Sequence, residues 1–290
     1  MANDPGPTVR RRRLGFLLRE LRLAKEMTLE QVGEHMEHAA SWASRIERGH
    51  VPVKQRDLRD LLDLYECDDE EMRAEMKALA KDSNEKGWWN KDASALSNPY
   101  QTYIGLETAA TELRVYDALV INGLFQIEDY ARALLSRGTP PGTGEEADRK
   151  VKVRMARQAR LNADPRLKLR AIAGEGALRL MPGGPDIQVA QLQHLRETAA
   201  NSPNVSLQVL PFSQGASPGM IASFTLIDLP APDPGLAYIE SLTGGIFEED
   251  DDADQYRLLY DGLAMDASSR ADSIQMIDTI IDEIQNQRKG

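Results

Sequence analysis

The sequence predicts a multidomain chain: a small all-helical head followed by a larger α+β domain with a small mixed sheet. Three observations predict it. Up to about residue 66, apolar residues recur at the three- and four-residue spacing of amphipathic helices. Beyond Asp164-Pro165 the pattern shifts to short apolar runs separated by turn residues, the signature of strands. Charge divides along the same line: residues 1–66 hold 12 basic and 11 acidic side chains, and the remainder holds 23 and 35. A near-neutral head with an arginine-rich start joined to an acidic body accounts for the net charge of −11 without excluding an anionic partner for the head.

Composition removes several classes. With 41% hydrophobic and 28% charged residues the chain reads as a soluble globular protein, and no apolar run approaches the roughly 18 residues a membrane span needs. The opening MANDPGPTVRRRR lacks the apolar core of a signal peptide. A single cysteine, Cys67, excludes an intramolecular disulfide and suits a reducing cytoplasm. The four histidines are scattered and no zinc signature exists. The expectation is a cytoplasmic protein with no cofactor and no metal.

In chain order, residues 1–9 read as a disordered Pro/Gly-rich tail and 10–67 as the head. A helix from about Arg11 to Lys25 turns Leu14, Leu17, Leu18 and Leu21 inward. Thr28 with Gln31 three residues later forms a capping-box signal for a second helix, Leu29 to Met36. A third, about Ala40 to Arg48, is anchored by Ile46 and Ala43 and stopped by Gly49, which suits a left-handed C′ position. Its apolar stripe is too thin to exist for packing alone, and the pair reads as a helix-turn-helix. A fourth helix spans about Gln55 to Tyr65.

Residues 68–105 read as a helical linker carrying Trp88-Trp89, adjacent rings expected to pack on a neighbouring domain or, less simply, to cage a ligand. Residues 106–290 form the second domain. It opens with a helix to about Tyr116, then a loop LVINGLFQ, a helix Ile127 to Ser136 and a basic helix Glu145 to Asn162. Strands follow at Leu167 to Ala173, Val205 to Leu210, Ile221 to Asp228 and Leu236 to Leu242. A helix between the first two favours a parallel pair; the shorter later connections favour antiparallel ones. Two helices end the chain, the last with an isoleucine stripe, Ile274, Ile277, Ile281 and Ile284, that is either core or a dimer contact.

Residues 11–66 resemble the lambda-repressor-like, xenobiotic-response-element (XRE) type DNA-binding domain, on Leu14…Leu18…Arg22, T-L-E-Q-V at 28–32 and S-R-I-E-R-G at 44–49. The resemblance implies that Arg22 pairs with Glu47 as a structural clip and that the N-terminal part of the third helix enters the major groove of double-stranded DNA. By position Ala40, Ser41 and Arg45 are the base-edge candidates, arginine being shaped for bidentate contact with guanine. Trp42 and Ser44 then lie near the sugar-phosphate wall. Gln31, His50, Lys54 and Arg56 are candidate phosphate contacts, which set register rather than sequence. Arg10, Arg11, Arg12 and Arg13 read either as an arm tracking the backbone or minor groove or as a solvated tail. Ala39 and Ala40 stand where relatives often carry polar residues, which thins direct readout.

A second resemblance covers roughly 80–285. GWW at 87–89, Leu106-Glu107, GLFQIEDYARALL at 123–135, RMARQARL at 154–161, QLQHLRETA at 191–199 and NVSLQVLPFSQGA at 204–216 are similar to the effector half of WhiJ-type regulators of actinomycetes. It implies a homodimeric transcriptional regulator, a repressor or developmental regulator, receiving a signal from a small partner protein encoded nearby. Trp88, Trp89, Asn122 and Phe125 mark the candidate effector or partner region. A small-molecule sensor is the rival reading, favoured by a cavity with convergent polar groups near the tryptophans or the 120–130 loop. A flat exposed apolar patch would favour a protein partner. An enzyme is not expected. Gly215-Ala216-Ser217-Pro218-Gly219 fits G-x-S-x-G, but strand-like sequence follows it and no histidine lies beyond His194, so the triad order of that motif is impossible. The acidic run Glu248 to Asp254 reads as a solvated loop or a dock for a basic surface.

Overall fold

The computed structural model describes residues 7–82, 87–136, 144–215, 222–231, 233–241 and 244–287. The chain forms two compact units. Residues 3–90 with the short stretch Pro230–Asp233 make the head, and the rest makes the second unit.

The head is five helices: α1 (Pro7–Ala24), α2 (Leu29–His35), α3 (Ala40–Glu47), α4 (Gln55–Leu64) and α5 (Glu70–Asp82). Leu14 and Leu18 of α1, Val32 of α2, Ala43 and Ile46 of α3, and Leu58, Leu61 and Leu62 of α4 interlock in one core. Met76 and Ala80 of α5 belong to the same core, so α5 completes the head rather than forming part of a linker. Helix α1 begins at Pro7 with Thr8 and Val9 already buried, which shortens the expected tail; residues 1–6 lie outside the described residues. The Thr28–Gln31 capping box is formed in both directions, satisfying two amides that the start of α2 would leave unpaired.

One crossing sets the position of α3. A Cβ on Gly15 of α1 would stand 2.3 Å from the Glu47 carbonyl oxygen, and one on Gly49 would stand 2.7 Å from the Arg12 amide nitrogen. Gly49 also has φ +68, a left-handed conformation that costs other residues energy. The two glycines let the end of α3 touch the backbone of α1.

The second unit is built on a six-stranded sheet in the order β3-β2-β1-β4-β5-β6. Its strands are β1 (Glu112–Asp117), β2 (Lys168–Gly174), β3 (Val205–Leu210), β4 (Phe224–Asp228), β5 (Leu236–Ser241) and β6 (Gly244–Glu248). β1, β2 and β3 are parallel; β4, β5 and β6 add antiparallel on the other side of β1. Helices are α6 (Asn98–Ala109), α7 (Glu128–Leu135), α8 (Gly144–Arg157), α9 (Glu175–Arg179), α10 (Pro185–Asn201), α11 (Asp250–Asp266) and α12 (Arg270–Gln287). One sheet face, with Tyr116, Ile172, Phe224, Leu226 and Ile239, packs on Tyr260 and Leu263 of α11. Alternation along each strand sends Asp117, Thr225, Tyr238 and Glu240 to the opposite face.

Three expectations change. Residues 112–116 form strand β1, not the end of a helix: Leu113 and Val115 are buried while Glu112 and Arg114 are partly exposed, a period of two that six residues barely disclose after the helix formers of α6. Strand β6 went unread because it opens on Gly244-Gly245, a turn-like pair. The acidic run is not a loop. Asp250, Asp251 and Asp252 are the first turn of α11, where carboxylates meet the positive end of the helix dipole. Of the two readings of the isoleucine stripe of α12, core holds: Ile277, Ile281 and Ile284 are buried, joined by Ile280, and Ile274 is half-buried. Residues 216–219 of the G-x-S-x-G stretch and 138–143 of the GTPPGTGEE stretch lie outside the described residues.

Candidate nucleic-acid interface and a cleft in the second unit

In the head, the Arg22–Glu47 pair sits behind α3. The Arg22 Nε donates to Glu47 Oε1 at 2.7 Å and Nη2 donates to Oε2 at 3.0 Å, while Nη1 donates to the Met27 carbonyl at 2.7 Å. Side-chain exposure is 10% and 7%, so this is a nearly buried fork-to-fork pair rather than a surface contact. The hydrogen bond to Glu47 and its charge push the Arg22 pKa up, against desolvation. The pair ties the end of α1, the α1–α2 turn and the last turn of α3 together.

With Ala43 and Ile46 on the core and Glu47 held, α3 turns the opposite face outward. Ser41 and Arg45 are exposed and Ala40 is half-exposed. Arg45 forms no ion pair among the described residues. Ala39 supplies no side-chain cap, leaving first-turn amides of α3 open to a phosphate. Trp42 lies partly on the core and stacks on His38, ring centroids 4.2 Å apart, and Ser44 is half-buried. The Gln31 oxygen accepts from the Thr28 amide at 2.8 Å, which leaves its amide group as the outward donor. Lys54, His50 and Arg56 are exposed, Arg56 with only a loose 3.8 Å approach to Asp60.

The arginine run corrects the expectation of an arm or free tail. All four residues are in α1, and successive helical positions point about 100° apart, so the run cannot act as one basic edge. Arg10 donates to the Asp82 carbonyl at 3.1 Å, Arg12 donates twice to Asp233 at 2.9 Å, and Arg13 lies 3.6 Å from Glu75. Burial lowers the Arg11 pKa.

Trp88 is 45% exposed and Trp89 is 6% exposed, their rings edge to face at 5.7 Å. Phe125 is fully buried and is core, not a contact surface. Asn122 is structural as well: its oxygen accepts from the Leu124 amide at 3.0 Å and its amide donates to Asp117 Oδ2 at 3.0 Å.

That last bond opens onto a cleft of about 270 Å³ in the second unit. It sits at the carboxyl end of β1, where the sheet changes from parallel to antiparallel, the kind of switch point that leaves a crevice. Asp117 and Thr225 come from the sheet, Tyr238 and Glu240 from β5, Tyr100 and Tyr103 from α6, Asn122 and Gln126 from the loop, and Arg154 and Arg157 from α8. Arg157 is committed: it forks onto Glu107 at 2.7 and 2.6 Å, donates to the Tyr100 hydroxyl, and lies over the Tyr100 and Tyr103 rings at 5.5 and 5.1 Å. Arg154 is not. Among the described residues its one hydrogen bond runs from Nη1 to Gln126 Oε1 at 2.7 Å, and its buried Nε has no partner. Gly123 makes room for it, since a Cβ there would lie 2.8 Å from Arg154 Cδ.

Burial pushes the Asp117 carboxyl up to about 7; Glu240 adds to the rise, while the Asn122 hydrogen bond, Arg154 and Arg157 oppose it. These cleft residues were missed apart from Asn122. Glu107, Arg154 and Arg157 fall inside the quoted motifs, but nothing in one sequence says that they meet.

Among the described residues no helix is long and apolar enough to cross a membrane. Residues 13–75 match the family described as helix-turn-helix domain, which marks the chain as a DNA-binding regulator. Residues 100–279, more than half of the chain, match "Domain of unknown function (DUF5753)". The chain belongs to that family. Searches of curated proteins and of solved structures return no match.

Two measurements check this geometry. Glu47→Ala strands a nearly buried guanidinium and is expected to destabilise the head by about 3–5 kcal/mol, read from hydrogen exchange of α3 amides, with Arg22→Met plus Glu47→Leu recovering most of the loss. A change within about 0.5 kcal/mol would mark an ordinary surface pair. Between its ordinary 3.8 and about 7, Asp117 keeps a proton when folded that the unfolded chain has lost. Its contribution to stability therefore falls as pH rises through that window. Asp117→Asn is expected to gain in Tm relative to the parent from pH 5 to pH 8; a constant difference would contradict the assignment.

Proposed function

We propose that the chain is a sequence-specific transcriptional regulator of the XRE type that acts by binding rather than catalysis. Helix α3 enters the major groove, with Arg45 and Ser41 reading base edges and Ala40 packing against a thymine methyl. Gln31, Lys54, Arg56 and the first-turn amides of α3 hold the phosphates. The observation that carries this is the outward face of α3, with Ser41 and Arg45 exposed four residues apart and Arg45 without an ion pair among the described residues, fixed from behind by Arg22 and Glu47. The resemblance to WhiJ-type regulators extends the proposal to a cytoplasmic homodimeric repressor, whose half-sites would lie about 34–36 Å apart.

For the signal, the cleft at the 120–126 loop supports a small-molecule effector over a small partner protein. Concave, with a few convergent polar groups, it is the kind of feature that separates the two readings. An effector that prefers one state of the chain would shift the population competent for DNA.

Arg45→Ala is expected to weaken binding to a selected duplex by about 1–3 kcal/mol while leaving binding to unrelated DNA nearly unchanged. An equal loss on both would make Arg45 a phosphate contact.

A further inference from the structure

We propose that the cleft of the second unit takes a small aromatic monoanion of one or two fused rings, its ring against Tyr100, Tyr103 and Tyr238 and its carboxylate on Arg154. This rests on the reading of the second unit as a small-molecule receiver and deepens it.

Size sets the first limit. About 270 Å³ falls just under the range of roughly 300–1,000 Å³ typical of drug-sized ligands. Wall chemistry sets the second. Tyr103 lies 4.5 Å from Tyr238 and 6.0 Å from Tyr100 between ring centroids, an aromatic lining that rewards a planar guest.

Charge sets the third. Arg157 is neutralised by Glu107 at 2.6 Å, so it offers no net charge to a guest. Arg154 has a neutral glutamine as its hydrogen-bond partner and a buried Nε with none. A guanidinium is a planar fork suited to a carboxylate, and among the described residues Arg154 bonds through Nη1 alone, its buried Nε lying beside Gly123. The groups facing Asp117 are Asn122 from the loop, Tyr130 from α7, Arg154 and Arg157 from α8 and Glu240 from β5. Below about pH 7, with Asp117 protonated, Glu240 is the other carboxyl group on the cleft wall, and a ring hydroxyl of the guest finds a partner at Asp117. Ionisation of Asp117 then opposes the anion, so affinity falls as pH rises through about 7.

Isothermal titration of the full chain with 4-hydroxyphenylacetate, indole-3-acetate, inorganic phosphate, and the uncharged 4-hydroxyphenylacetamide tests this. At least one aromatic acid is expected to bind, and its neutral amide about 10- to 100-fold more weakly, the worth of one charge-assisted contact. Arg154→Met is expected to lose a similar factor, Arg154→Lys less, and Asp117→Asn to flatten the pH dependence. Gly123→Ala, which crowds Arg154 without removing it, is expected to weaken binding as well, and Arg45→Ala in the head not at all. Circular dichroism confirms that each variant folds.

Binding of phosphate as tight as that of the acids, retention of affinity in Arg154→Met, or no heat from any aromatic acid overturns the inference. Affinity for a selected duplex, measured with and without the acid, separates the two levels. An acid that binds at Arg154 without altering DNA affinity supports the ligand class and overturns the receiver reading. If the amide binds, alters DNA affinity and outcompetes the acids, the receiver reading stands and the ligand class falls.

Discussion

The head depends on one pair of side chains. Helix α3 has eight residues, too few to be stable alone, and it buries only Ala43 and Ile46. What fixes its axis is the Arg22–Glu47 fork together with the glycine crossing of α1 at Gly15 and Gly49. A nearly buried ion pair is a weak source of net stability, but it is directional, and the proposed reading role needs a fixed direction.

The second unit uses the same device for a different purpose. Arg157 and Glu107 form a buried fork that braces α8 against α6, and two tyrosine rings cover it. Three residues earlier on the same helix, close to one turn away, Arg154 has the same guanidinium but forms no ion pair among the described residues and bonds to Gln126 instead. Asp117, its carboxyl raised to about 7 by burial, keeps its proton in acid and gives it up through neutral pH.

Much of the head was legible from residue order because its signals are local. The capping box needs only Thr28 and Gln31, the C-terminal stop needs only Gly49, and the core stripes follow helical spacing. Two features were not local. Helix α5 joins the head through Met76 and Ala80, which contact α1 and α4 residues far away in sequence. The Arg10–Arg13 run lost its apparent role as an arm because α5 and Asp233 supply its partners. The parallel β2–β3 pair and the antiparallel β4–β5 pair followed from connection lengths, whereas β1 was hidden by its brevity. The cleft was the least legible. Asp117, Thr225 and Tyr238 share a face only because β1, β4 and β5 pair in one register, and a shift by one residue would turn them away.

The central claim is that α3 reads a major groove. Selection of bound duplexes from a random pool, followed by methylation interference at guanine N7, tests it most directly, because that atom lies in the major groove. The structure predicts an enriched site at which methylation of one or a few guanines blocks binding, with that block absent in Arg45→Ala. No enrichment, or interference confined to minor-groove positions, would contradict it.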